Sequence, residues 1–288
     1  MCAMCIEVVR PDFISIPLLG HIPHSAVFIP AGVKDKFLLT EEELCSELIC
    51  MTDAYTDELF SGFSGVGGVT IVNKLSRLVF DPERFSDDNL EIMATQGMGV
   101  IYTKTSFGKP LRKNLTQSDK STLLNQYYHP YHKRLDKEVA SILEAFSRCL
   151  IIDGHSFPSK PLPYELDQNL SRPDICIGTD SYHTPHTLVE FTVAFFKNAR
   201  MTVEIDRPFS GCLVPIQHYH KNNKVLSMMI EVNRRLYMNE TSGERTPNFQ
   251  SIKALLDQYI CELAKTLTED QALQSKRLGL NYYSPRVF

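Results

Sequence analysis

The sequence predicts an α/β fold in which a mixed, largely parallel sheet is sandwiched by helices. Three observations carry that reading. Short β-rich runs alternate with amphipathic stretches along the chain, polar residues crowd the positions where those runs end, and no repeat, low-complexity tract or Pro/Gly-rich linker divides the 288 residues. One domain over residues 1–288 is therefore expected.

Strand-like runs fall at 27–29, 69–72, 77–80, 100–102, 149–153, 175–178, 201–205 and 225–232, each short and rich in β-branched or aromatic residues. Amphipathic helical patterns occupy 41–60, 118–148, 184–199 and 248–266, and the apolar face of the last serves either a core or a dimer. In sheets of this kind ligands bind beyond the carboxyl ends of the strands, where loops converge. Asp81-Pro82-Glu83-Arg84, Asp153-Gly154-His155-Ser156, Gly178-Thr179-Asp180 and Asp206-Arg207-Pro208 follow such runs.

Bulk properties narrow the partner to a small molecule. Hydrophobic residues make up 43% and charged residues 22%, enough to bury a core without disulfide support. Thirty Lys and Arg against thirty-four Asp and Glu give a formal charge of -4, so the footprint of a nucleic-acid binder is missing. No apolar run approaches the ~20 residues that span a bilayer, and the opening Met-Cys-Ala-Met-Cys lacks signal-peptide order. No membrane partner and a cytoplasmic location are expected. Most of the eight cysteines sit in apolar contexts and read as buried free thiols; Cys2 and Cys5 form a Cys-x-x-Cys with no second pair to complete a zinc knuckle.

The candidate chemistry lies in a few segments. His155 closes an apolar run two residues after Asp153, which suits either a metal ligand with a carboxylate behind it or a simple loop cap. His24 forms a second His-Ser pair in a proline-flanked loop, and two such imidazoles could converge on one cation. Zinc is the natural choice, because two His and one carboxylate leave a fourth position open. The carboxylate could be Asp53 or Asp57, four apart on one helical face, although acidic residues near a helix start also complement its dipole. Glu231 follows a strongly apolar run, where burial would raise its pKa toward a general base; pairing with Arg234 or Arg235 is the alternative. Arg77, Arg84 and Arg207 could hold substrate carboxylates or form surface ion pairs.

In order along the chain, Pro23-His24-Ser25, Asp53 with Asp57, Arg77 through Asp81 to Arg84, Asp153-Gly154-His155-Ser156 and Glu231 resemble the N-formylglutamate amidohydrolase family. The likeness runs from about Pro23 to Met238, with Tyr128-His129-Pro130-Tyr131-His132 among its linking pieces. The resemblance implies a three-layer α/β/α fold related to zinc carboxypeptidases and aspartoacylase. It implies one zinc, or another divalent ion, on His24, His155 and Asp53, with Glu231 activating water at the metal. It also implies that Arg84 holds a substrate carboxylate, with Arg77 and Arg207 as weaker candidates. The implied reaction converts N-formylglutamate to glutamate and formate. Other N-acyl amino acid or carboxypeptidase-like hydrolysis, and a binding module without turnover, are the alternatives. His129 and His132 read as supporting or structural. At Glu83 relatives often carry Asn, and an acid there is expected to repel a substrate carboxylate.

Overall fold

The computed structural model describes residues 5–277. Seven strands form the sheet: β1 Ile6–Val9, β2 Leu18–Ile22, β3 Val69–Asn73, β4 Cys149–Phe157, β5 Ile175–Gly178, β6 Val203–Ile205 and β7 Val225–Asn233. The helices are α1 Ala31–Lys34, α2 Glu41–Met51, α3 Thr56–Leu59, α4 Gln117–Leu123, α5 His129–Phe146, α6 His186–Asn198 and α7 Phe249–Arg277. Strand order is β1-β3-β2-β4-β7-β5-β6, with β3, β2, β4 and β7 mutually parallel and β1 and β5 antiparallel to their inner neighbours. The expected mixed, largely parallel α/β sheet is present.

The sheet is apolar on both faces because helices cover both. Leu18, Ile22, Leu150, Ile152, Met228 and Ile230 face one way, into a cluster with Leu59 of α3, Phe196 of α6 and Leu256, Tyr259 and Leu263 of α7. Leu19, Val69, Ile71 and Ile151 face the other way, against Leu135, Val139 and Ile142 of α5. Those three α5 positions repeat with the helical period, and the strand positions alternate, as each geometry requires. The C-terminal helix thus spends an apolar face on the core. Among the described residues, no helix is long and apolar enough to cross a membrane.

Several expected elements differ. Residues 27–29, 77–80 and 100–102 are not strands. Val27 and Phe28 are exposed, whereas the other two runs fill two side clusters, Val79, Phe80, Val100 and Ile101 with Tyr127 and Tyr131, and Leu78 and Tyr102 with Met93 and Met98. The expected helix at 41–60 is two. Thr40 caps α2 in a reciprocal box with Glu43, but Thr52 is extended and Tyr55 has a φ of 68°, so the chain turns between α2 and α3. The pattern at 118–148 is interrupted by a π turn at Leu124–Tyr128. Pro130 has no N–H to bond the carbonyl of residue 126, and the wider turn absorbs that loss. Neither β1 nor β2 was evident, since the five residues of β2 include Gly20 and His21.

Those small residues have a packing reason. A Cβ on Gly20 would lie 2.1 Å from the Phe63 ring, and one on Gly154 would lie 2.8 Å from Ile22 and 2.9 Å from Phe60. Aromatic rings therefore rest directly on the central strands, close to where those strands end. All seven cysteines among the described residues are free thiols, as expected, but only Cys149 and Cys176 are buried and Cys45 and Cys261 are exposed, so most are not buried. Cys2 lies outside the described residues.

Gly20→Ala is expected to lower stability by about 1–3 kcal/mol through overpacking against Phe63. Urea unfolding followed by circular dichroism checks this, and an unchanged midpoint would show that the Phe63 ring moves aside freely.

Candidate metal centre and its cavity

Four parallel strands deliver the site at their carboxyl edge. β2 leads to His24, β3 to Arg77 and Asp81, β4 carries Asp153 and His155, and β7 carries Glu231 and leads to Arg234. Register does part of the placement, because His155 pairs with Glu231 and His21 with Asp153 across adjacent strands.

His24 Nδ1 and His155 Nδ1 lie 3.3 Å apart. Asp53 Oδ2 is 3.1 Å from His155 Nδ1 and 3.7 Å from His24 Nδ1, and all three side chains are buried. The far nitrogens are held by other carboxylates: His24 Nε2 is 2.8 Å from Asp81 Oδ1, and His155 Nε2 is 3.0 Å from Asp153 Oδ1. An acceptor at the far nitrogen favours the tautomer that leaves a lone pair on Nδ1. Two lone pairs and a carboxylate oxygen then point at one place, an arrangement suited to a cation.

The break between α2 and α3 resolves the choice of aspartate geometrically. Asp53 sits in the turn and its backbone N–H donates to His24 O at 3.0 Å. Asp57 lies in α3, half-buried, with Lys74 3.9 Å away, and does not reach the histidines. The two aspartates do not share a helical face, because the helix ends before Asp53.

Arg234, read from sequence only as a possible partner of Glu231, instead donates from Nη2 to Asp53 Oδ1 at 2.9 Å and from Nη1 to the Cys50 carbonyl at 2.6 Å. Arg235 donates to Asp174 at 2.6 Å. Burial alone would raise the Asp53 pKa, but hydrogen bonds with His155 and His24 and the nearby Arg234 hold it well below the usual carboxylate range. Glu231 is left without either arginine. Its Oε2 has no hydrogen-bond partner among the described residues, and burial pushes its pKa up to about 8 against the opposing charge of His155.

The three predicted arginines part company. Arg77 Nη2 donates to Asp81 Oδ2 at 2.9 Å, its Nε donates to the Tyr102 hydroxyl at 3.0 Å, and its Nη1 is 3.7 Å from Asp53 Oδ1. It is a brace for the carboxylates. Arg84 faces the cavity with a buried Nε that has no hydrogen-bond partner among the described residues; Asp81 and Glu91 stand 3.9 and 4.0 Å away. Arg207 is exposed and reaches Asp167 at 3.1 Å and Glu204 at 3.7 Å, outside the cavity wall, as a surface ion pair.

Glu83, expected to repel a substrate carboxylate, lines the cavity and faces His21. Its Oε1 lies 3.3 Å from His21 Nδ1, and burial followed by the charge of Asp153 raises its pKa well above the usual carboxylate range. His21 was not singled out in the sequence. Its Nδ1 is 2.7 Å from Asp153 Oδ1 and its Nε2 is 2.7 Å from the Tyr131 hydroxyl, a buried chain that fixes Asp153 behind His155. His21, Glu83 and Asp153 are close enough to form a second possible cation cluster. His129 and His132 both line the cavity, and burial pushes His132 down to about 4. The cavity over the site has a volume of 790 Å³ and takes in His24, Asp53, His155, Glu231, Arg77, Arg84 and Arg234.

This is an α/β protein with a histidine–carboxylate centre at the carboxyl edge of its parallel strands. The chain belongs to the N-formylglutamate amidohydrolase family, whose sequence model matches residues 16–238. It is 32% identical over 169 residues to N-formylglutamate deformylase of Pseudomonas putida, covering 57% of this chain and 59% of that protein. It is 31% identical over 171 residues to the protein of the same name in Pseudomonas aeruginosa, covering 58% and 60%. The match thus spans about three-fifths of the length of these curated relatives. Among solved structures, N-formylglutamate amidohydrolase from Ralstonia eutropha superposes with a TM-score of 0.82 at 22% identity, covering 93% of this chain and 99% of that one. A gene product of Agrobacterium tumefaciens superposes at 0.67 with 17% identity, covering 93% and 96%. These two share the fold.

Arg234→Met is expected to destabilise the protein by about 3–5 kcal/mol, because it leaves the buried Asp53 carboxylate without its ion-pair partner. Equilibrium denaturation measures this. Wild-type stability would mean that the histidines alone hold Asp53.

Proposed function

We propose that the chain hydrolyses the amide bond of an N-acyl acidic amino acid, with N-formylglutamate, cleaved to glutamate and formate, as the first substrate to test. The names of the curated relatives support this substrate. The observation that carries the chemistry is the convergence of His24 Nδ1, His155 Nδ1 and Asp53 Oδ2 beside a Glu231 that has no cationic partner of its own.

His24, His155 and Asp53 fit a divalent cation, zinc first, since two imidazoles and a carboxylate oxygen are its common donors. When bound, the ion supplies Lewis acidity, which polarises an amide carbonyl and lowers the pKa of a water. Asp81 and Asp153 keep the two imidazoles in the tautomer and orientation needed, and Arg77 and Arg234 keep the carboxylates in place. Arg84, whose Nε makes no hydrogen bond among the described residues, binds the carboxylate of the amino acid. Glu231, poised near neutrality, accepts a proton from the attacking water and returns it to the amide nitrogen as the C–N bond breaks. Arg207 has no part in this reading, because its partners lie on the surface.

Purified protein is expected to release formate from N-formyl-L-glutamate, to lose that activity on chelation and to regain it with zinc. Absence of release from protein carrying stoichiometric metal would overturn the substrate assignment, and tight binding with no product from any N-acyl amino acid would indicate a binding module. Glu231→Gln is expected to retain metal, measured by elemental analysis, and to lose about 10²–10⁴ in kcat. Full turnover by that variant would place the base elsewhere.

A further inference from the structure

The cavity is larger and more apolar than a formylated amino acid needs. If each non-hydrogen atom is granted as much space as a whole water in the liquid, ~30 Å³, then N-formylglutamate, with about a dozen such atoms, fills at most ~360 Å³. That is under half of the 790 Å³ available. The remaining wall is part polar, with Ser86, Asp87, Lys133 and Asp136, and part apolar. Phe85, Leu90, Ile92, Leu166 and Ile216 come from three separate segments, all line this cavity, and are all exposed; Leu90, Ile92 and Leu166 reach 67%, 69% and 70%. Large apolar side chains left in water around one opening mark a surface that a ligand covers. The same cavity is lined by Arg84, whose Nε makes no hydrogen bond among the described residues and has only looser ion pairs with Asp81 and Glu91 at 3.9 and 4.0 Å, so the cavity offers a guanidinium to an anion and a rim to hydrocarbon.

Resting on the reading of the site as an N-acyl amino acid hydrolase, we infer that the preferred ligand carries an apolar group of several carbons in addition to its carboxylate. The amide bond sits over the histidines, the carboxylate pairs with Arg84, and the apolar group covers the Phe85, Leu90, Ile92, Leu166 and Ile216 rim. That group could belong to the acyl part or to the amino acid side chain, and both present the same hydrocarbon surface to the rim.

Calorimetric titration of the zinc-supplemented Glu231→Gln protein with three compounds tests the inference without turnover. N-octanoyl-L-glutamate places the apolar group on the acyl side, N-formyl-L-phenylalanine places it on the amino acid, and N-formyl-L-glutamate has none. At least one of the first two is expected to bind tenfold or more tightly than N-formyl-L-glutamate, and which one does identifies the side. Adding Leu90→Ser and Ile92→Ser, both exposed and harmless to the core, is expected to remove most of that preference and to leave N-formyl-L-glutamate binding unchanged. Equal binding of all three, or a preference that survives the two serines, overturns the inference. Turnover of the same compounds by protein retaining Glu231 separates the two claims. A binding preference without cleavage overturns the hydrolase reading and leaves the apolar rim, whereas cleavage without a binding preference does the reverse.

Discussion

The site depends on one carboxylate held in a place where it would otherwise be costly. Asp53 is buried among groups of both signs. One oxygen is tied to the Arg234 guanidinium, and the other is aimed at the space between two imidazoles. A buried carboxylate persists only when its charge is matched and its oxygens are satisfied. Much of the surrounding structure serves that requirement. The chain leaves α2 early so that Asp53 can turn inward, and the short helical segment after β7 begins with Arg234, which closes the pair from the other side. Asp81 and Asp153 repeat the logic one step out: Asp81 hydrogen-bonds His24 and is braced by Arg77, and Asp153 hydrogen-bonds His21, lies 3.0 Å from His155 Nε2 and is braced by the backbone N–H of Leu213.

Much of this was legible in the residues. β4 and β7 were visible as apolar runs giving way to Asp153 and Glu231, a few residues before the strands stop at Phe157 and Asn233, and rigid prolines marked the loop of His24. Other parts left no periodic signal. β2 lies at the centre of the sheet yet reads as Leu-Leu-Gly-His-Ile, because Gly20 makes room for Phe63 and His21 faces a buried carboxylate. Residues 77–80 and 100–102 carry strand-like composition for a different reason, packing under loops where no ladder forms. Arg234 was read only as a partner of Glu231 and Tyr131 only as part of a linking piece, because their partners, Asp53 and His21, are more than a hundred residues away in the chain, and pairing at that distance is written only in the fold.

Glu83 shows how charge read from a sequence can mislead. An acid beside a substrate-binding arginine looks repulsive on paper. In the folded protein its side chain faces His21 at the cavity wall, and burial raises its pKa well above the usual carboxylate range. Two acids, Glu83 in the loop after β3 and Glu231 on β7, thus face the same histidine-rich floor, one against His21 and the other lining the cavity.

The π turn ahead of α5 has an effect that reaches beyond the missing hydrogen bond of Pro130. A single additional residue in a helix advances its angular phase by about 100°. The turn at Leu124–Tyr128 sets that phase for everything after it, and so decides which side of α5 meets the sheet. With the phase as it is, Leu135, Val139 and Ile142 land on the sheet while Tyr131, one turn earlier, lands on His21. The helix is therefore a dial whose setting is fixed at its first turn, and a family member that lost or gained one residue there would have to choose between its core and the tyrosine behind its histidine.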